Sequence, residues 1–217
     1  MNIENRDIRQ RELIPPEKLQ DTKVTVVGVG AGGRQVALQL AAIGVPKIQL
    51  IDFDIVKVEN LAAQGYFEAD LGRAKVDATA DVCRMINPAI EINTANKKFM
   101  SIQFTGGVLF CCVDSIETRK SIFNAVKNRA DLFIDGRMSA EYMRIFVAHD
   151  EESKEHYNTT LFPQRETYSG SCTAKTTIYC ANVSAGIRVA QFAKWLRGCE
   201  IDKEIDVNLL TNEMGTK

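Results

Sequence analysis

The residues with the clearest chemical potential stand at a single turn. Gly28-Val29-Gly30-Ala31-Gly32-Gly33 contains G-x-G-x-x-G directly after a β-branched run from Lys23 to Val29, and residues at helical spacing follow from Gln35 to Ile43. Strand, glycine turn and helix in that order let backbone approach a ligand closely and offer the free N–H groups of a helix start to phosphate. Asp52 lies 24 residues after Gly28 at the end of the next apolar run, where an acid can accept hydrogen bonds from ribose hydroxyls. On its own the turn fits a dinucleotide redox enzyme, an ATP user or a simple packing turn. Asp114, directly after the apolar run GVLFCCV, is either a ligand-side acid at a strand end or the cap of the next helix. Cys172, in Tyr168-Ser169-Gly170-Ser171-Cys172-Thr173-Ala174-Lys175, has a polar loop, an adjacent lysine and a following helix, conditions that expose a thiol and favour its thiolate.

These residues need a frame to bring them together, and the hydropathy pattern supplies one. After the first strand, turn and helix, Gly44-Val45-Pro46 stops the helix and Ile48 to Asp54 is a second strand. A loop from 55 to 71, a helix from about Gly72 to Ile86 stopped by Asn87-Pro88, and a strand near Glu91 to Ala95 follow. Gly107 to Val113 is a continuous apolar run of the kind buried on both faces, Ile116 to Arg129 is helical by periodicity, and 132–135 is a further strand. Such alternation predicts an α/β fold, a Rossmann-like doubly wound and mainly parallel sheet with right-handed crossovers. Toward the end, Tyr142 to His149 reads as a strand, 150–175 as a polar loop and Ile178 to Leu196 as a long helix. On that helix Trp195, Phe192, Val189 and Leu196 form an apolar face suited to core or dimer contact.

The stretch IDFDIVKVENLAAQGYFEADLGRAKVDATADVCRMINP resembles the ThiF/MoeB/HesA and ubiquitin-activating superfamily, with its ordered D-x-D-x-V, N-L-x-R-Q, G-x-x-K and helix-closing N-P. The similarity runs from about Arg9 to Gly198. It implies ATP and Mg2+ as cofactors. Adenine and ribose would lie over Gly28, Gly30, Ala31, Gly33 and Asp52, with Asp54, Asn60, Gln64 and Ser115 as further contacts. Lys75 would bind phosphate, Asp114 would hold Mg2+, and Cys172 would take the activated carboxylate as a thioester. A positioned ammonium and a divalent cation suit the charge that develops on the α-phosphate and the departing pyrophosphate. The implied substrate is the C-terminus of a ubiquitin-like or sulfur-carrier protein, with a ubiquitin-conjugating-type carrier as a possible next recipient. Adenylation of a peptide, a small substrate or a modified RNA base, and an inactive scaffold subunit, stay open beside it.

One departure bears on activity. Where the family has arginine in N-L-x-R-Q, this chain has Ala63. By resemblance, Arg9 in Arg9-Gln10 reaches the partner subunit's site in a homodimer, and Arg6, Arg73 and Arg119 are local candidates to replace the charge.

Composition bounds the rest. At 217 residues the expectation is one adenylation domain, with an arm over 1–21, a nucleotide-binding core over 22–136 and a C-terminal part over 137–217. A formal net charge of -1 argues against a nucleic-acid partner, and no apolar run is long enough to span a membrane. The polar start MNIENRDIRQRE lacks a signal-peptide core, so the expected location is cytoplasmic, with free thiols. The six cysteines form no C-x-x-C, so no zinc is expected, and Cys180 is the second candidate thiol after Cys172. His149 and His156 belong to no recognisable constellation.

Overall fold

A computed structural model describes residues 6–162 and 176–217. A short helix α1 (Pro16–Leu19) precedes β1 (Lys23–Val27), α2 (Ala31–Ile43), β2 (Lys47–Asp52) and α3 (Val58–Gln64). Then come α4 (Lys75–Ile86), β3 (Glu91–Asn96), β4 (Gly107–Cys111), α5 (Ile116–Val126), β5 (Ala130–Ser139) and β6 (Tyr142–Ala148). The chain continues through α6 (Glu151–Thr159), α7 (Ile178–Arg197), β7 (Glu204–Asn208) and β8 (Glu213–Thr216).

The strands form one sheet in the order β3-β2-β1-β4-β5-β6-β7-β8. β3 through β5 pair in parallel, and β5 through β8 pair antiparallel. β1 and β4 sit in the middle, and apart from Thr25 their buried residues are apolar because both faces are covered. Side-chain alternation splits the core in two. Val24, Val26, Leu50, Val108 and Phe110 pack beneath α2, α4 and α7. Leu109, Cys111 and Phe133 turn to the opposite face and meet Ile122 and Phe123 of α5 and Tyr157 of α6. Rings of Phe123, Phe133 and Tyr157 meet edge-on or tilted at 4.6 to 5.1 Å, a favoured aromatic geometry. The apolar face expected on the last helix is core: Val189, Phe192 and Leu196 are buried, with Trp195 stacked on Phe192.

Three expectations change. The stretch expected to be a polar loop from 150 contains α6, started by Asp150, whose carboxylate accepts from Ser153 N at 2.8 Å. The Ser153 hydroxyl, helped by that backbone hydrogen bond, holds the Asp150 carboxyl below its ordinary range. The loop expected over 55–71 contains α3. The sheet is mainly parallel as expected, but the segment after the last helix, which carries no predicted element, adds β7 and β8 antiparallel, β7 burying Glu204, Ile205 and Val207 and β8 exposed throughout. No described helix is long and apolar enough to cross a membrane.

Candidate nucleotide site

β1 is flanked by β2 on one side and β4 on the other, and the strand order reverses there. Loops leaving the carboxyl ends of neighbouring strands diverge at such a switch point, which opens a crevice for ligands. Val27 is in register with Ile51 and Cys111, so the glycine turn, Asp52 and the segment after Cys111 emerge side by side.

Gly28 has φ +86°, a backbone conformation that side chains disfavour, and a Cβ there would lie 2.7 Å from the Cys112 carbonyl oxygen. A Cβ on Gly33 would collide with the Gly28 carbonyl oxygen and lie 2.9 Å from Cys112 Cβ. The turn is therefore backbone packed on backbone. Gly30 caps α2 with an ordinary φ of −69°, and a Cβ there would meet only Gln64, at 3.8 Å from Oε1. Its side is the open one, toward which the first N–H groups of α2, including that of Ala31, are free to receive an anion.

Asp52 is locked across the turn. Its Oδ2 accepts from Val29 N at 2.7 Å and its Oδ1 from Asp54 N at 2.8 Å. Tyr66, which sequence reasoning missed, braces the turn from below: its hydroxyl donates to the Val29 carbonyl at 2.6 Å and shares a hydrogen bond with Thr79. Burial pushes the Tyr66 phenol well above its usual range, so it stays a donor. Arg34, in the first turn of α2, is buried beside it, with its guanidinium 4.2 Å from the Tyr66 ring centre and Nε donating to the Gly65 carbonyl.

Lys75 opens α4 and is 5% exposed, its Nζ donating to Asp54 Oδ2 at 3.0 Å. The Ile55–Ala74 bridge and the bond from Lys75 N to the Asp54 carbonyl lash the start of α4 to the end of β2. Asn60 Oδ1 accepts from Lys57 N at 2.9 Å, so that oxygen serves the start of α3. Gln64 Oε1, facing Gly30, is buried with no hydrogen-bond partner. Such an atom is costly unless a ligand supplies a donor, or the amide flips and a ligand supplies an acceptor.

Asp114 is exposed at the end of β4, and the cap of α5 is Ser115, whose Oγ accepts from Thr118 N at 3.2 Å. The capping alternative thus passes to the neighbour, leaving the Asp114 carboxylate outside the helix cap. Arg119 holds this loop by donating to the Val113 and Gly136 carbonyls and pairing with buried Asp135. Among the described residues no three His, Cys, Asp or Glu side chains group as a metal site. Asp114 on its own, with phosphate oxygens completing the shell, fits the sparse protein ligation that Mg2+ tolerates.

Other candidates lie elsewhere. Arg9 is exposed in the arm, whose Arg6 and Gln10 donate to the Ala41, Ala42 and Ile43 carbonyls at the far end of α2. That end is ~20 Å from the glycine turn at 1.5 Å per residue, so Arg6 is no local substitute for the arginine absent at position 63. Arg73 is committed to Asp70 and Asp81, and Arg119 to Asp135. Cys180 is fully buried on α7, which removes it as an accessible thiol. Burial pushes the Cys83 thiol up to about 12 and the Cys111 thiol up to about 11. Cys172 lies outside the described residues. His156 bonds Glu204 at 2.8 Å, far from this crevice in the antiparallel half of the sheet.

Comparison with known proteins agrees with the frame. Ubiquitin-like modifier-activating enzyme 5 of Culex quinquefasciatus is 34% identical over 133 residues, covering 54% of this chain and 33% of that protein. Molybdopterin-synthase adenylyltransferase of Salmonella typhimurium is 33% identical over 112 residues, covering 49% of this chain and 45% of that protein. The chain thus spans about a third to under half the length of these relatives. In structure, E. coli MccB solved with AMPCPP and MccA superposes with TM-score 0.77 at 18% identity, covering 100% of this chain and 72% of that one. PaaA superposes with TM-score 0.72 at 19% identity, covering 93% and 74%. The sequence pattern of the ThiF family matches residues 5–215, and with its ordered motifs converging on one switch-point crevice the chain belongs to the ThiF family.

Proposed function

We propose that this chain, as one domain over 1–217, adenylates the C-terminal carboxylate of a ubiquitin-like or sulfur-carrier-like protein at the expense of ATP. The observation that carries it is that the glycine turn, Asp52, the Lys75–Asp54 pair and Asp114 all follow the carboxyl ends of the neighbouring strands β1, β2 and β4. Its named relatives are adenylyltransferases and modifier-activating enzymes, which favours ATP over a nicotinamide cofactor. A carboxylate oxygen attacks the α-phosphorus, the bond to the β-phosphate oxygen breaks, and an acyl adenylate and pyrophosphate result. The α2 N-terminus and Lys75 stabilise the phosphate charge, and Asp52 orients the ribose. Mg2+ held by Asp114 would add further charge stabilisation on the phosphates. Cys172 thiolate then attacks the acyl carbon, AMP leaves, and the thioester can pass to a conjugating-type carrier protein. Homodimerisation would allow Arg9 to act on the partner's site, and a reducing cytoplasmic setting suits the free thiols at 83, 111, 112, 180 and 199.

ATP–pyrophosphate exchange with purified carrier proteins tests this. Exchange that Asp114→Ala abolishes and Cys172→Ala spares, with a thiol-sensitive adduct only when Cys172 is present, supports adenylation followed by thioester formation. Absence of both exchange and ATP binding would leave a scaffold, the alternative that Ala63 favours.

A further inference from the structure

Among the described residues not assigned above, one charged side chain is buried without a counter-charge. Arg188, in the middle of α7, is 0% exposed. Its Nε donates to the Ser184 carbonyl of its own helix at 3.1 Å, and its Nη1 donates to Cys112 Sγ at 3.0 Å. Nη2 is buried with no hydrogen-bond partner, and among the described residues Arg188 forms no ion pair. The other buried arginines differ. Arg34 has a carbonyl, the Thr79 hydroxyl and the Tyr66 ring, while Arg119 pairs with Asp135, which the half-buried Arg137 also holds. Folded chains rarely bury a cation unpaired, because the desolvation is costly and nothing offsets it.

The unpaired group has a definite direction. A Cβ on Gly32 would lie 2.5 Å from Arg188 Nη2, and a Cβ on Gly136 would lie 2.8 Å from Arg188 Cδ and Nε. Two glycines, one in the first turn of α2 and one near the ligand end of β5, thus form the slot that the guanidinium fills. Cys112, which takes the Nη1 hydrogen bond, is the residue against which Gly28 and Gly33 pack. The guanidinium therefore sits directly behind the phosphate-facing turn, where its charge adds to the positive end of α2.

We propose that Arg188 is a positioning residue whose charge is balanced by the phosphates of bound ATP, and that it replaces from within the cation lost at Ala63. Rather than touching the nucleotide, it acts through the glycine turn and the α2 terminus. This rests on the adenylation proposed above.

Calorimetric ATP affinity and ATP-dependent melting, with Mg2+ present, test it on the full chain and on Arg188→Met, Arg188→Gln and Arg188→Lys. With ATP absent, Arg188→Met should melt at or above the unaltered chain, because an unpaired buried charge is gone. Its ATP affinity should fall at least tenfold, with KM for ATP rising more than kcat falls in the exchange assay, and Arg188→Lys should recover most of the affinity. A lower melting temperature without ligand combined with unchanged ATP affinity would make Arg188 a packing residue and overturn the inference. If Arg188→Met does not fold, Arg188→Gln decides by the same affinity criterion. Equal ATP shifts in all the chains overturn the inference alone, whereas no shift in the unaltered chain removes adenylation with it.

Discussion

Lys75 Nζ stands 3.0 Å from Asp54 Oδ2 at the very start of α4, where the helix dipole disfavours a cation. Helix stability alone would not select lysine at that position, and Asp54 offsets only part of the conflict. In the proposed adenylation, a phosphate accepting from Lys75 Nζ beside the free amides of the α4 start would resolve it. Lys75→Met should weaken ATP binding about 10- to 100-fold, the equivalent of ~1.5 to 3 kcal/mol for a charge-assisted hydrogen bond. Without ATP its melting temperature should hold or rise. Titration calorimetry with ATP checks the first part and thermal melting the second.

Glycines of the turn should separate by mechanism. Gly33→Ala drives a Cβ into the Gly28 carbonyl, and Gly28→Ala strains a φ of +86° while approaching Cys112. Both should lower the melting temperature and abolish ATP binding. Gly30→Ala meets only Gln64 at van der Waals distance, so the fold should persist while ligand approach suffers. Melting curves with and without ATP distinguish the three.

Asp114 and Ser115 are neighbours with different tasks. Ser115→Ala removes the cap of α5 and should cost about 1 kcal/mol of stability in denaturant unfolding. Asp114→Asn, exposed and outside the cap, should change stability by less than ~0.5 kcal/mol and still eliminate Mg2+-dependent pyrophosphate exchange. A large stability loss in Asp114→Asn would assign that residue to structure.

Acid should loosen the antiparallel half first. Burial alone would raise the Glu204 carboxyl, but hydrogen bonding and charge from Arg144, with His156 assisting, outweigh it and hold the group below the usual carboxylate range. A depressed folded value means the stabilisation is fully present above the ordinary glutamate value of 4.5 and is lost as pH falls through the lower, folded value. Hydrogen exchange of β6 and β7 amides between pH 5 and pH 3 should rise before that of β1 and β4, and Glu204→Gln should flatten the difference.

What was legible in the sequence was local. Gly28 to Gly33 announced a turn because glycine there has a steric reason, and β1 and β4 announced themselves because strands covered on both faces are largely apolar, with Thr25 the exception. α6 escaped because Glu151-Glu152-Ser153-Lys154-Glu155-His156 is polar, and burial falls on only Ser153 and Tyr157 of that helix. Tyr66 and Arg188 escaped because their roles are tertiary: one reaches the Val29 carbonyl across 37 residues, the other Cys112 across 76. No spacing rule connects such positions. The failure of Arg6 as a substitute cation has the same origin, since distance along a chain does not reveal which end of a helix an arm will bind.

The docking of that arm gives α2 a division of labour between its ends. Arg6 and Gln10 occupy the last carbonyls of the helix, while Asp52 and Tyr66 hold Val29 just before its first turn. Fastened fore and aft, the helix behaves as a fixed beam rather than a lever, and its free amides stay aimed whether or not anything sits over them. Recognition of a phosphate at such a terminus draws on orientation already established during folding, so the entropy of aligning those donors is settled before the ligand arrives. The surfaces around the crevice can then differ without retuning the beam beneath.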